Sequence, residues 1–340
     1  MLAVHGQPIA AALALMLLVR AVPAAADEDA VTRGEYLVRA GGCFSCHTAA
    51  DGQALAAATA SWRATDVSDA VSFLAVPTAD LTIPGPDSPL RTRHYRPAVA
   101  GAAPLLVFFH GGGFVVGDIE SHDGLCRMIC GDAAIHVLSV GYRLAPEHKA
   151  PAAVDDCFAA YQWALGHAAE LGAEPSQVGV GGDSAGGNLA ALVALRSRDE
   201  GIPQPALQAL IYAVLDLSAD TPSRTLFSDG FFLSASDSAM FTELYLDGTG
   251  LAADDPRVSP LKAADLSGLA PALIVTAGFD PLRDEGNEYA TALRSAGVAV
   301  DHRQFDALTH GFASIASFGG GSADATAATI SAIRAHLSRS

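Results

Sequence analysis

The chain has 340 residues, of which half are apolar and 17% are charged, and its formal net charge is −17 at pH 7. This composition excludes a largely disordered chain and predicts a globular protein with a substantial core. An acidic surface of this size argues against nucleic acid and anionic membrane surfaces as partners.

The first 26 residues contain an apolar run, Ile9–Val19, that is shorter than the roughly 20 residues needed to span a membrane. Ala24 and Ala26 form an A-x-A cleavage pattern after it. We therefore predict a signal peptide at residues 1–26 and a periplasmic or secreted protein with no stable membrane insertion after cleavage. No Lys or Arg precedes the run, so a mis-called start codon or a buried apolar helix is the alternative, and the protein would then be cytoplasmic.

Residues 27–74 form an N-terminal or cap segment that contains Cys43-Phe-Ser-Cys46-His47, a C-x-x-C-H haem-attachment motif. The flanking GEYLVRAGGC resembles the opening of a periplasmic cytochrome c domain. That resemblance implies thioether bonds at Cys43 and Cys46 and an axial ligand at His47. However, little chain remains before residue 75, and a second axial ligand such as Met is lacking nearby. We interpret the motif as a remnant of a gene fusion, with covalent haem c as the alternative.

From residue 75 onward, short strand-like runs alternate with longer helical stretches, which predicts one α/β domain at 75–340. Leu105–Phe109 and Ala272–Ala277 are almost wholly apolar, as strands covered on both faces are. We therefore expect a mostly parallel eight-stranded sheet flanked by helices. The other strand candidates are Ala79–Ile83, Arg91–Arg96, Ile135–Val140, Val178–Gly182, Leu207–Val214 and Val300–Phe305. The helix candidates are Gly124–Asp132, Val154–Leu171, Ala185–Asp199, Asp284–Ala296 and Asp324–Leu337. A longer segment, about 217–260, interrupts the alternation and is a candidate for a small helical cap.

A candidate nucleophile stands where a strand turns into a helix, in Gly182-Asp183-Ser184-Ala185-Gly186. In G-x-S-x-G the serine needs a tight turn to project above the sheet, and small neighbours let the backbones approach. The helix that follows leaves the N–H of Ala185 free. The alternative is a glycine-rich turn in which the serine caps the helix.

A glycine loop, His110-Gly-Gly-Gly-Phe114, follows the apolar strand that ends at Phe109. Its glycines allow backbone N–H groups to face a site without side chains in the way, as stabilisation of an oxyanion requires. A plain flexible loop is the alternative. Nucleotide binding is disfavoured because neither G-x-G-x-x-G nor G-K-[ST] is present.

An acid and a base are predicted at two further strand ends, Asp280 and His310. The chain order Ser, Asp, His is that of α/β-hydrolases. Among the rivals, Asp284 and Glu285 suit the first turn of a helix, where its dipole favours acidic side chains. His302 lies inside a strand, and His110 belongs to the glycine loop.

Several long motifs follow one another in a characteristic order. By these motifs, the chain from about residue 76 resembles the hormone-sensitive-lipase family of bacterial esterases, also called family IV. The motifs are HGGGF (110–114), YRLAPEHKAPAAVDD (142–156), GDSAGGNLAA (182–191), DPRVSPL (255–261), DPLRDEG (280–286) and HGF (310–312). The resemblance implies Ser184 as nucleophile, Asp280 as acid and His310 as base. It also implies an oxyanion hole built from the backbone N–H groups of Gly112, Gly113 and Ala185.

The function that this resemblance implies is a serine carboxylesterase for short- to medium-chain acyl esters, with a small ester as its partner and no metal or organic cofactor. Two alternatives belong to other classes: a c-type haem electron-transfer protein fused to a hydrolase-like domain, and a binding module without catalysis. Lipase, lactonase and amidase activities stay open, because a fold does not fix a substrate. The sequence also leaves a homodimer open.

Overall fold

The structure is a computed structural model, and it describes residues 76–338. The predictions for residues 1–26 and 27–74, with Cys43, Cys46 and His47, therefore lie outside the described residues. Within 76–338, no helix is both long and apolar enough to cross a membrane.

One eight-stranded sheet organises these residues, with the strand order β1-β2-β4-β3-β5-β6-β7-β8. The strands are β1 (Thr78–Ile83), β2 (Leu90–Tyr95), β3 (Ala103–Phe109), β4 (His136–Gly141), β5 (Ala173–Asp183), β6 (Gln208–Ile211), β7 (Ala272–Phe279) and β8 (Val300–Thr309). Two pairs are antiparallel, β1 with β2 and β2 with β4, and the remaining pairs, from β4 across the sheet to β8, are parallel. The predicted mostly parallel α/β sheet is confirmed.

Helices cover both faces of the sheet, because its central strands are apolar on both sides. The helices are α1 (Asp123–Ala133), α2 (Ala152–His167), α3 (Ala185–Asp199), α4 (Pro222–Leu226), α5 (Ala235–Leu246), α6 (Arg283–Ser295) and α7 (Gly320–Leu337). All seven residues of β3 are buried, and the last five, Leu105–Phe109, alternate between two apolar clusters. Leu105 and Val107 pack with residues of α2, α3 and α6, whereas Leu106 and Phe108 pack with residues of α1 and α7.

The segment predicted as a cap insertion contains α4 and α5, joined by a loop. A capping box starts α5: the Ser234 side chain accepts from the N–H of Asp237, and the Asp237 carboxylate accepts from the N–H of Ser234. These bonds satisfy backbone donors that the first turn of a helix otherwise leaves free. The helix therefore begins at a defined residue close to the cavity described below.

One strand is shorter than the sequence predicts. The run Leu207–Val214 is apolar except for Gln208, yet β6 ends at Ile211. Tyr212 takes a positive φ of 37°, which breaks the extended backbone. A pattern of apolar residues carries no information about such a turn, so the sequence predicts a strand that is too long.

Candidate active site

Ser184 occupies a sharp turn between β5 and α3. Its φ of 53° and ψ of −119° are unusual for a residue with a side chain. Its N–H donates to the carbonyl of Ile211 at 2.9 Å, which ties the turn to β6. Glycine is required at Gly186, since a Cβ there would collide with the backbone carbonyl of Phe109. Strand, turn and helix therefore hold the hydroxyl of Ser184 at one position.

The structure brings Ser184, His310 and Asp280 together from three separate loops. His310 Nε2 lies 3.0 Å from Ser184 Oγ, and His310 Nδ1 lies 2.9 Å from Asp280 Oδ2. The other carboxylate oxygen of Asp280 accepts the N–H of Leu282 at 2.8 Å. Because a carboxylate only accepts, Nδ1 carries a proton, which leaves Nε2 of the neutral ring free to accept the hydroxyl proton of Ser184.

Electrostatics favour a charged His310 more than its burial opposes it. Burial alone would lower the pKa of the imidazole, since it penalises the charged form. The Asp280 carboxylate acts in the opposite direction through its charge and hydrogen bond, and the pKa of His310 ends above its usual value. Such an imidazole is suited to take up a proton during a reaction and to give it back.

Next to His310 and Ser184, the glycine loop has backbone N–H groups that make no hydrogen bond. The carbonyl of Gly112 accepts from the N–H groups of Val115 and Val116, at 3.1 and 2.9 Å. In a trans peptide the C=O and the next N–H point in opposite directions, so the N–H of Gly113 faces away from these bonds. Within residues 76–338, the N–H groups of Gly112, Gly113 and Ala185 have no hydrogen-bond acceptor.

A cavity of about 130 Å³ opens over Ser184 and His310. Its volume is close to the roughly 150 Å³ that accepts a benzene molecule in an engineered apolar cavity. Its wall is mainly apolar and is shared between the glycine loop and the segment of α4 and α5. The lining side chains from that segment and its flank include Leu217, Arg224, Phe232, Leu233, Phe241 and Thr242. Such a wall suits a small organic molecule with apolar groups.

Of the predicted oxyanion donors, Gly112 and Gly113 line this cavity, whereas Ala185 is fully buried directly after Ser184. A side chain at Gly113 would collide with the ring of Phe241, so glycine is needed where the loop meets α5. Because three N–H groups without acceptors lie next to the serine, they could stabilise negative charge on the oxygen of a carbonyl group that Oγ attacks.

The rival residues take structural positions. His302 lies in β8 with Nε2 3.1 Å from the Thr276 hydroxyl. Asp284 accepts the N–H of Ser223 at 2.8 Å. Glu285 lies in the first turn of α6, but it is fully buried and pairs with Arg224, so the helix dipole alone does not account for it. Within 76–338, no group of three or more His, Cys, Asp or Glu side chains could hold a metal ion.

Three residues next to the site were not assigned a role from the sequence: His122, Tyr212 and Arg224 all line the cavity. His122 and Arg224 belong to no motif whose chemistry can be read from spacing. Tyr212 follows β6 at its carboxyl end, where side chains of parallel sheets meet ligands, and that position was the available signal.

Comparison with known proteins decides the family. A family model described as "alpha/beta hydrolase fold" matches residues 106–314, which is more than half of the chain. The chain belongs to this α/β-hydrolase family.

Its relatives and structural neighbours carry names of ester hydrolases. It is 57% identical over 269 residues to the carboxylic ester hydrolase LipN of Mycobacterium tuberculosis, covering 78% of this chain and 72% of that one. It is 39% identical over 281 residues to an ethyl acetate hydrolase of Pseudomonas putida, covering 80% and 85%. Among solved structures, the ester-hydrolase EH1AB1 from the metagenome of Lake Arreo matches with a TM-score of 0.77 and 36% identity, covering 96% and 97%.

Proposed function

We propose that this α/β-hydrolase is a serine carboxylesterase that cleaves short- to medium-chain acyl esters through an acyl-enzyme. The observation that carries the proposal is the unbroken hydrogen-bonded line from Ser184 through His310 to Asp280 at the floor of an apolar cavity. The names of its relatives, which are carboxylic ester and ethyl acetate hydrolases, support the same reaction class.

In the first step, His310 Nε2 takes the proton of Ser184 while Oγ attacks the ester carbonyl carbon. The carbonyl π electrons move onto oxygen, and the N–H groups of Gly112, Gly113 and Ala185 donate to that oxyanion. Asp280 stabilises the imidazolium through its contact with Nδ1. When the oxyanion collapses, the bond to the alcohol oxygen breaks, and His310 gives its proton to the departing alcohol.

In the second step, water replaces the alcohol. His310 takes a proton from the water as its oxygen attacks the acyl carbon, and the same N–H groups hold the second oxyanion. Collapse releases the carboxylic acid, and Ser184 recovers its proton from His310. Since these groups and water carry every proton and electron pair, the proposed reaction calls for no metal or organic cofactor.

The cavity favours small substrates. A volume of about 130 Å³ accommodates a short acyl or alcohol group, while the wall of Phe232, Leu233 and Phe241 offers apolar contact. The test is a series of nitrophenyl esters from acetate to decanoate. We expect kcat/KM to be highest between acetate and hexanoate and to fall toward decanoate. A wild-type enzyme inactive on the whole series would contradict the proposal.

The N-terminal segment adds two further proposals, both resting on the sequence alone. The apolar run and A-x-A pattern before residue 27 support export to the periplasm or medium. The C-x-x-C-H motif at Cys43, Cys46 and His47 is proposed to be a remnant without haem, because its ligand set is incomplete. Mass spectrometry of the mature amino terminus in the native host tests the first proposal, and a haem assay tests the second.

A further inference from the structure

A buried ion pair lies beneath the glycine loop, next to the proposed nucleophile but outside its hydrogen-bonded line. Asp183 directly precedes Ser184 and is only 4% exposed. Its Oδ1 lies 3.2 Å from His122 Nε2, and the His122 side chain is itself 9% exposed. The mechanism above uses neither residue, and burying two groups that can both be charged carries a large desolvation cost. The burial of this pair therefore requires a structural or functional explanation.

The partners of His122 fix where its protons are. The Asp183 carboxylate only accepts, so Nε2 carries a proton that points to it. Nδ1 lies 2.9 Å from the hydroxyl of Ser121, which also donates to the carbonyl of Asp118 at 2.9 Å. The single proton of that hydroxyl is used in its bond to Asp118, so Nδ1 must be the donor in its contact with the Ser121 oxygen. Both ring nitrogens of His122 therefore carry a proton. Burial lowers the pKa of His122, but the Asp183 charge and hydrogen bond raise it above its usual value overall.

The same carboxylate oxygen holds the glycine loop. Asp183 Oδ1 accepts the N–H of Gly111 at 2.9 Å. The same N–H lies 3.2 Å from His122 Nε2, but a protonated Nε2 accepts no hydrogen bond, so the shorter contact to the carboxylate holds Gly111. The carbonyl of Gly111 accepts from His110 Nδ1 at 2.8 Å, so the residue is held at both its N–H and its C=O. Because C=O and the following N–H are antiparallel in a trans peptide, fixing the carbonyl of Gly111 fixes the direction of the Gly112 N–H.

We propose that Asp183 and His122 are positioning residues that set the oxyanion loop: the pair anchors Gly111 at its N–H, His110 holds its carbonyl, and Gly111 held in this way aims the N–H of Gly112 at the ester oxygen. The inference rests on the proposed esterase function. His122 supplies the charge that keeps Asp183 ionised, and an ionised carboxylate accepts a stronger hydrogen bond from Gly111 than a neutral group does. The other ionisable groups that face His122 are His110, whose ring centroid lies 5.5 Å away, and Asp118.

The test compares two inhibitors that differ only in their ability to form an oxyanion. Ser184 Oγ adds to the carbonyl carbon of an alkyl trifluoromethyl ketone, and the ketone oxygen becomes an oxyanion beside the glycine loop. The matching methyl ketone binds the same cavity as a neutral molecule. The variants are Asp183→Asn, which keeps the side-chain shape, and Asp183→Ala. Asp301→Asn is the matched control, because Asp301 also accepts from a histidine, His336, at 3.0 Å, but it does not line the cavity.

We expect Asp183→Ala to lower kcat by about 10- to 100-fold with KM changed less than about threefold. Complete removal of one oxyanion donor lowers kcat by about 10²- to 10³-fold, and a misdirected donor should have a smaller effect. Binding of the trifluoromethyl ketone should weaken about tenfold or more, and binding of the methyl ketone hardly at all. Asp183→Asn should lie between the wild type and Asp183→Ala, and Asp301→Asn should match the wild type. If Asp183→Ala does not fold, Asp183→Asn must still lose part of its preference for the trifluoromethyl ketone.

Two results would overturn the inference. Equal weakening of both ketones would mean that the pair supports the cavity as a whole, and wild-type preference in both variants would mean that Gly111 needs no anchor. Failure of the esterase proposal itself is recognised separately, with a fluorophosphonate probe. If the wild type is not labelled at Ser184, the proposed function fails and the inference with it. If it is labelled and the variants keep the wild-type preference, only the positioning role fails.

Discussion

Glu285 Oε2 lies 2.8 Å from Nη2 and 3.1 Å from Nε of Arg224, and the carboxylate is completely buried. The other oxygen, Oε1, accepts the N–H of Leu215 at 2.7 Å, while Nη2 of Arg224 also donates to the carbonyl of Asp216 at 3.0 Å. One ion pair thus joins α4 to α6, the helix that follows Asp280 in the chain. It connects Arg224, which lines the cavity, to that helix.

We predict that Arg224→Ala lowers the free energy of unfolding by about 2 to 4 kcal/mol, because it leaves the Glu285 carboxylate buried without its partner. Since Arg224 lines the cavity, KM for short esters should also change. Urea unfolding and steady-state kinetics measure the two effects. Arg257→Ala is the control: it removes an exposed pair with Asp255 that water screens, so its unfolding midpoint should stay at the wild-type value. Equal midpoints for both variants would contradict the prediction.

A second prediction uses the backbone of Ser184. Ser184→Ala and Ser184→Gly should both lose activity by about 10³-fold or more, because the nucleophile is gone. Their stabilities should differ, since a φ of 53° with a ψ of −119° strains alanine but not glycine. We expect Ser184→Gly to be the more stable of the two by about 1 kcal/mol, after the larger chain entropy of unfolded glycine is deducted. Calorimetry of both proteins checks this, and a less stable glycine variant would speak against a strained turn.

The pH dependence of activity is the third prediction. Only neutral His310 can accept the Ser184 proton, so kcat/KM should rise with pH and then level off in mild alkali. Because Asp280 outweighs burial and raises the pKa of His310, the rise should be centred above the value of an ordinary histidine. Asp280→Asn removes that charge, so the rise should move to lower pH while kcat falls by about 10³- to 10⁴-fold. A profile that falls from pH 5 to 8 would exclude His310 as the base.

The fourth prediction concerns stability in acid. His94 Nε2 lies 2.9 Å from His136 Nδ1, and both rings are buried between β2 and β4. Burial, with the neighbouring His136, lowers the pKa of His94 to about 4, against an ordinary value of 6.5. Between these values the unfolded chain binds more protons than the folded one, so stability is lost as pH falls from 6.5 toward 4.

Between pH 7 and 4.5 the loss from His94 should be on the order of 2 to 3 kcal/mol. Urea unfolding at pH 7, 5.5 and 4.5 measures it. His94→Gln keeps a donor for His136 but does not titrate, so its stability should depend less steeply on pH over this range. A slope equal to that of the wild type would place the acid sensitivity in other groups.

Much of this architecture is predictable because the deciding signals are local. The apolar runs at β3 and β7 identify strands covered on both faces, and the small residues around Ser184 identify a turn between strand and helix. The chain order of Ser184, Asp280 and His310 then restricts which strand ends meet. These features depend on a few neighbouring residues, so the sequence carries them directly.

The ion pairs of Asp183 with His122 and of Arg224 with Glu285 are different. Each joins two elements that are distant in sequence, and its existence depends on how those elements pack. Glu285 shows the difficulty: an acidic residue in the first turn of a helix suits the dipole whether it is exposed or buried. Only the packing of α4 over it reveals a buried partner.

The last prediction returns to the amino-terminal segment. Deleting residues 27–50 should change substrate preference or stability without abolishing hydrolysis, because every residue of the proposed reaction centre lies after residue 100. The effect should be largest on longer acyl chains, whose tails need an apolar wall that excludes water. Hydrolysis rates for acetate and decanoate esters, measured on the deletion variant and the full chain, decide this. Loss of acetate hydrolysis by a folded variant would contradict it.

Replacing Cys43 and Cys46 together by Ser should leave acetyl-ester hydrolysis nearly unchanged, because acyl transfer by Ser184 and His310 involves no electron transfer to a haem. The wild-type protein should give no haem signal in a pyridine-haemochrome assay after expression in a host that matures cytochromes c. The reason is that a working c-type site needs a second axial ligand besides His47. Stoichiometric covalent haem in the wild type would make this a haem–esterase fusion. Complete loss of esterase activity in the double variant, with the fold retained, would make the cysteines part of the enzyme and not a remnant.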